Sequence, residues 1–181
     1  MNLESATAIL KPQYFKELRS LFYLFRMAEL NCRYYCCQLD SLESRDKFFQ
    51  AVVALAAAAS FGLLAFAEFK NVKAIAAGLS LLAFLVSAVV PWIGLTRKIE
   101  DAKTKSIVWA GASQQLEGAM RFIRYANNVD GEVSGWTKSS EEAYKRAAST
   151  LPAEKENRKL VQKIEAEVRE SFPPNYVWVA L

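Results

Sequence analysis

The 181-residue sequence contains no histidine. That removes the commonest general base, the usual Ser/His and Cys/His nucleophile pairs, and most zinc sites. Cysteine is confined to Cys32, Cys36 and Cys37, an odd-numbered cluster whose adjacent members cannot pair without strain. No disulfide framework is expected, which fits a reducing cytosolic setting. The seven glycines are scattered, so no phosphate-cradling loop is formed, and no G-x-S-x-G occurs. The first ten residues lack the positive start, apolar core and cleavage site of a secretory leader. Carboxylates at Glu141-Glu142 and from Glu154 to Glu170 alternate with Lys and Arg at helical spacing. That pattern describes a solvated face with local ion pairs, not an acid/base pair. No enzyme signature is left, and neither a cofactor nor a metal site is expected.

Charge is also scarce where it matters. The net charge of +4 is mildly basic and suits an anionic membrane surface. It forms no basic stripe interleaved with aromatics, so nucleic acid is not an expected partner. Between residues 48 and 95 charge almost vanishes. Residues 48–69 read FFQAVVALAAAASFGLLAFAEF and residues 75–95 read IAAGLSLLAFLVSAVVPWIGL. Each is about long enough to cross a hydrocarbon core of roughly 30 Å. The short linker at 70–74 permits only a tight helical hairpin. The competing reading is a hairpin buried in a soluble helical bundle, but apolar residues surround both helices on all faces.

These features predict an all-α membrane protein, a two-helix transmembrane hairpin continuing into a cytosolic antiparallel helical bundle. Three regions are expected: an N-terminal amphipathic helix (1–47), the hairpin (48–95) and a C-terminal helical region (96–181). Arg45 and Lys47 precede the first span, and Arg97, Lys98, Lys103 and Lys105 follow the second. They outweigh Lys70 and Lys73 at the tip, which Glu68 offsets in part. The bias puts both termini in the cytoplasm of a multi-pass protein in the bacterial inner membrane.

The first helix is expected from about Pro12 to Asp46. Leu18, Leu21, Phe25, Ala28, Cys32, Tyr35, Leu39 and Leu42 alternate steps of three and four, a heptad seam that Tyr14 extends backward. A further helix, from about Arg97 to Asn127, repeats Ala102, Trp109, Leu116 and Ile123 every seven residues, with Ala112, Ala119 and Ala126 interleaved. Packing one stripe on the other is the economical arrangement. NNVDGEVSG at 127–135 reads as a loop, Ser139 to Glu142 as a capping box opening a short helix, and 153–171 as a helix carrying Leu160, Ile164 and Val168. The apolar tail NYVWVAL reads as a short strand or a docking arm.

Within the hairpin, small residues form ridges at Ala54, Ala58 and Gly62, at Ala74 and Gly78, and at Ala83 and Ser87. One ridge closes the hairpin, and a second points to contacts between protomers of a homo-oligomer. Gln50, Ser60, Ser80 and Glu68 are the candidate pore-lining groups, and each is equally at home in a hairpin that only anchors. Pro91 is placed to kink the second helix, with Trp92 at interfacial depth. For the cysteines, palmitoylation or redox sensing stands against a simple packing role for Cys32.

The order of elements, with the hairpin sequences above flanked by the helices bearing Tyr14 to Leu42 and Trp109, resembles the SLATT superfamily over essentially the whole chain. Those are two-transmembrane effectors associated with SMODS nucleotidyltransferases and SLOG sensors in bacterial conflict systems. The resemblance implies an oligomerising effector that permeabilises the inner membrane in anti-phage defence. A second-messenger synthase or SLOG-type sensor would be its partner, and the lipid bilayer its target. It supplies no catalytic residues. The rival reading is a membrane-anchored scaffold that recruits a cytosolic partner through its helical bundle. A phage holin-like protein is a weaker third, because the cytosolic part is large.

Overall fold

In the computed structural model, residues 12–64, 70–92, 94–125, 130–149 and 157–174 are described. They form five α-helices and no strand: α1 (Pro12–Leu64), α2 (Lys70–Trp92), α3 (Leu95–Tyr125), α4 (Asp130–Ser149) and α5 (Arg158–Ser171). The chain divides into two compact units, Met1–Cys36 with Thr104–Leu181, and Cys37–Lys103. The division falls at Cys36 and Thr104, not at the limits of the uncharged run.

The first unit is built on α1 and α3. Leu18, Leu21, Phe25, Ala28 and Tyr35 of the α1 seam are buried in one cluster with Trp109, Ala112, Leu116, Ala119 and Ile123 of α3. Cys32 is half-buried beside them. The two helices run antiparallel: Tyr35 meets Lys105, Cys32 meets Ser106 and Glu29 meets Ser113, so numbers fall on α1 as they rise on α3. Alternating large and small residues along α3 leaves room for the bulky α1 side chains, which close packing requires.

Helix α4 folds back on α3 in the same antiparallel sense. Phe122 stacks on Trp136 at 5.3 Å, Trp109 meets Tyr144 edge-on at 5.4 Å, and the Ser140 hydroxyl donates to the Gln115 carbonyl. The expected loop at 127–135 is thus helical from Asp130 onward, and Ser139 lies inside α4 instead of capping it. Val133 is the physical reason: it is 1% exposed, in line with buried Ser140 and Ala147 at steps of seven. Such anchoring outweighs the cost of about 1 kcal/mol for each of the two glycines within the helix.

Helix α5 starts at Arg158, later than the expected 153. Its N-cap Asn157 accepts from the Leu160 amide, and the Asn157 amide donates to the Tyr34 hydroxyl at 3.3 Å. Ile164 and Val168 are buried, and Leu160 packs against the same core. Its outer face carries the pairs Arg169–Glu165 at 2.8 Å and Lys163–Glu167 at 3.8 Å, exposed contacts worth a few tenths of a kcal/mol. The Phe172 ring seals the end, edge-on to Phe25 at 4.9 Å with the Arg33 guanidinium 5.6 Å above it.

The second unit corrects the expected membrane placement. Among the described residues no helix is long and apolar enough to cross a membrane. The transmembrane hairpin is therefore unsupported, and the expectation of a multi-pass inner-membrane protein with both termini cytoplasmic is withdrawn. Lys105, counted above as a flanking membrane charge, is buried in the first unit with Nζ 5.4 Å above the Tyr35 ring. The expected first helix and first apolar stretch form one continuous helix to Leu64, and α2 already begins at Lys70. Gly94, at φ +63, separates α2 from α3 in a left-handed conformation that glycine adopts without strain.

Removing a core side chain tests the α1–α3 packing. Leu116→Ala, at a fully buried site, is expected to lower unfolding stability by about 2–5 kcal/mol. Ile107→Ala, on the exposed side of the same helix, is expected to change it by less than about 0.5 kcal/mol. Chemical denaturation followed by circular dichroism measures both.

Candidate functional site

The hairpin unit holds itself together through a narrow stripe. Its buried residues are Ala56 and Ser60 on α1, Ala76 on α2, and Leu95 and Ala102 on α3. Leu79, Ala83 and Val86 of α2 are half-buried in register with Ala76. All the buried α1 and α2 positions are small, so helix axes can approach closely.

This stripe differs from the expected ridges. Ala54, Ala58 and Gly62 are exposed, as are Ala74, Gly78 and Ser87, and Ala83 alone is half-buried. A Cβ added at Gly62 or Gly78 would meet nothing within 4 Å. The ridge that closes the hairpin is thus Ala56–Ser60, two positions along from the expected one.

The polar groups expected to line a pore are not brought together. Gln50 is exposed and its side-chain amide donates to the Asp46 carboxylate, one turn back, at 2.7 Å. Ser60 is buried, but its hydroxyl donates to the Ala56 carbonyl of its own helix at 2.7 Å. Ser80 is exposed. Glu68, Ala126, residues 127–129 and the NYVWVAL tail lie outside the described residues, as do the side chains of Tyr14, Pro91 and Trp92. Leu39 and Leu42 are half-buried in the second unit.

What the hairpin presents outward is apolar bulk. Phe48, Leu55, Phe61, Ile75, Leu81, Leu82, Phe84 and Leu85 are between 47% and 76% exposed. At 100° per residue, Leu81, Leu82, Phe84 and Leu85 fan over about 160° of α2, on the side opposite Ala76, Leu79, Ala83 and Val86. A helix that is apolar all round calls for cover on all sides. Monomeric proteins rarely leave such a surface in water.

In the first unit a polar chain links three helices. The Ser113 hydroxyl of α3 donates to Glu29 of α1 at 2.5 Å, Glu29 pairs with Arg33 at 3.5 Å, and Arg33 donates to the Ser171 hydroxyl of α5 at 3.2 Å. The chain fixes the lateral register of α3 and α5 on α1. Cys32 sits against it, its thiol directed to the Ser106 carbonyl at 3.8 Å. Burial, then the neighbouring Cys36 and Glu29, pushes this thiol up to about 11. Burial raises the Tyr144 hydroxyl as well, with Tyr23 adding to it. Cys36 and Cys37 are exposed. Among the described residues no three His, Cys, Asp or Glu side chains are grouped to hold a metal ion.

Sequence reasoning missed two features. One is the exposed apolar surface as distinct from a span, and the other is the α4 stripe Val133, Thr137, Ser140, Tyr144 and Ala147. The signal for the stripe was its step of four and three, hidden by two serine or threonine positions and by neighbouring glycines. No family model matches the chain, and no curated protein or solved structure matches it.

The thiol environments are separable by labelling. With a maleimide reagent at pH 8, Cys36 and Cys37 are expected to react at least about tenfold faster than Cys32, because the thiolate is the nucleophile. The rate at Cys32 is expected to keep rising as the pH approaches its displaced value of about 11. Peptide mapping by mass spectrometry reads both.

Proposed function

We propose that this chain is a self-assembling, non-enzymatic helical scaffold: the hairpin units of several copies pack together, and the helical bundle of each is displayed to a partner protein. One observation carries the reading, the eight large apolar side chains left exposed between Phe48 and Leu85. Burying a large apolar side chain fully is worth roughly 1.5–3 kcal/mol. Covering even half of this surface recovers on the order of 10 kcal/mol per copy, comparable with the roughly 4–15 kcal/mol that association costs.

A second copy is the occupant that suits the surface. Ala54, Ala58 and Gly62, exposed on each copy and unused in closing its own hairpin, are small enough for a neighbour's helix to approach. Residues 48–64 of α1 and 74–92 of α2 carry no charge, so no like-charge repulsion opposes approach along those stretches. The perforating activity that the superfamily resemblance implies needs helices long and apolar enough to cross the bilayer. It is not carried forward. What is retained from the earlier expectations is the homo-oligomer and the recruiting bundle.

Sedimentation velocity of the full chain, with and without phosphatidylglycerol vesicles, tests the reading. The parent is expected to form one discrete oligomer and to stay off the vesicles. Gly62→Leu with Gly78→Leu leaves the protomer's own packing untouched, and is expected to weaken assembly by about tenfold or more. A monomeric parent would overturn the reading, and so would partition onto vesicles in place of self-association.

A further inference from the structure

The first unit has a groove that the assembly reading does not use. A cavity of about 390 Å³ lies between α1 and α5, with Tyr23, Arg26, Met27 and Leu30 on one wall and Val161 and Val168 on the other. A second cavity of about 420 Å³ shares Tyr23 and Arg26 and adds Arg19, Phe22 and Pro174. On α1 the positions Arg19, Tyr23, Arg26 and Leu30 follow steps of four, three and four. They form a second stripe beside the buried seam, with cations toward one end and apolar side chains toward the other.

The charges in this groove are unequally satisfied. Glu165 and Arg169, which border it, neutralise each other at 2.8 Å. Arg26 lies over the Phe22 ring at 5.8 Å, and its buried Nε has no hydrogen-bond partner among the described residues. Arg19 has no acidic partner among them either. A guanidinium offers five donors and no acceptor, so what it lacks is an anion. Arg19 is exposed and Arg26 half-buried, so a carboxylate approaching from outside can reach their guanidinium ends with charge-assisted bonds.

We infer that this groove docks an amphipathic helix from a partner protein, one carrying an acidic side chain for Arg19 and Arg26 and apolar side chains about one turn away for Met27, Leu30 and Val161. Charge complementarity sets the chemistry: the free charge in the groove is positive, and the apolar part accepts aliphatic side chains. Tyr23, 66% exposed, stands at the junction of the two cavities and closes over the docked helix. The inference is independent of self-assembly, which uses the other unit.

The test is selection of helix-forming dodecamer peptides from a random display library on the full-length protein. Enriched peptides are expected to carry Asp or Glu three or four positions from Leu, Ile or Phe. Their binding is expected to fall by about tenfold or more in Arg19→Glu and in Arg26→Glu, to weaken with added salt, and to be unchanged in Lys138→Glu on α4. Arg26 is partly buried, so circular dichroism accompanies each variant, and Arg19→Glu with Tyr23→Ser keeps the test valid if Arg26→Glu fails to fold. Peptides without acidic enrichment would overturn the proposal, as would binding indifferent to Arg19→Glu. Arg19-dependent binding to phosphatidylglycerol vesicles without peptide binding would overturn it in favour of a lipid headgroup.

Discussion

The antiparallel packing of α1 on α3 is the contact on which the first unit depends. Leu18, Leu21, Phe25 and Ala28 are buried in one cluster with Trp109, Ala112, Leu116, Ala119 and Ile123. Once that seam is closed, α3 offers its Trp109 and Phe122 to α4, and α1 offers Phe25 and Tyr34 to α5. The outer helices have few buried side chains of their own, Val133, Ser140 and Ala147 on α4 and Ile164 and Val168 on α5. Their place is set by the surface the α1–α3 pair presents. The polar chain from Ser113 through Glu29 and Arg33 to Ser171 adds direction to this packing, because hydrogen bonds tolerate less sliding than apolar contacts do.

The second unit follows the opposite rule. Its buried positions are almost all small, and its large side chains face outward. Such a unit gains little from its own folding and much from being covered. That asymmetry separates the two roles proposed for the molecule, a bundle with its own buried core and a hairpin whose apolar surface is to be covered by other copies.

Several features were legible in residue spacing. The steps of three and four through Leu18, Leu21, Phe25 and Ala28 select the face that is buried, because a 3.6-residue period leaves only one face with that spacing. Trp109, Leu116 and Ile123 mark the facing stripe for the same reason, and Leu160, Ile164 and Val168 mark α5. The small-residue ridge was not legible in this way. In the run Ala56 to Ala59 every side of the helix is small, so composition cannot say which side touches a neighbour, and packing selected Ala56 and Ser60. The glycines of 127–135 read as a loop because their local preference opposes a helix, while the burial of Val133 that overrides it is a long-range contact.

By itself, then, the amino-acid order determined the helical class, the α1 and α3 seams and the absence of charge across the hairpin, since each is a local periodicity or a composition. Only the tertiary structure decided where α4 begins, which small residues close the hairpin, and that Arg26 sits over Phe22 with a donor left unpaired. Those outcomes depend on side chains far apart in the chain meeting or failing to meet, and no local pattern encodes that.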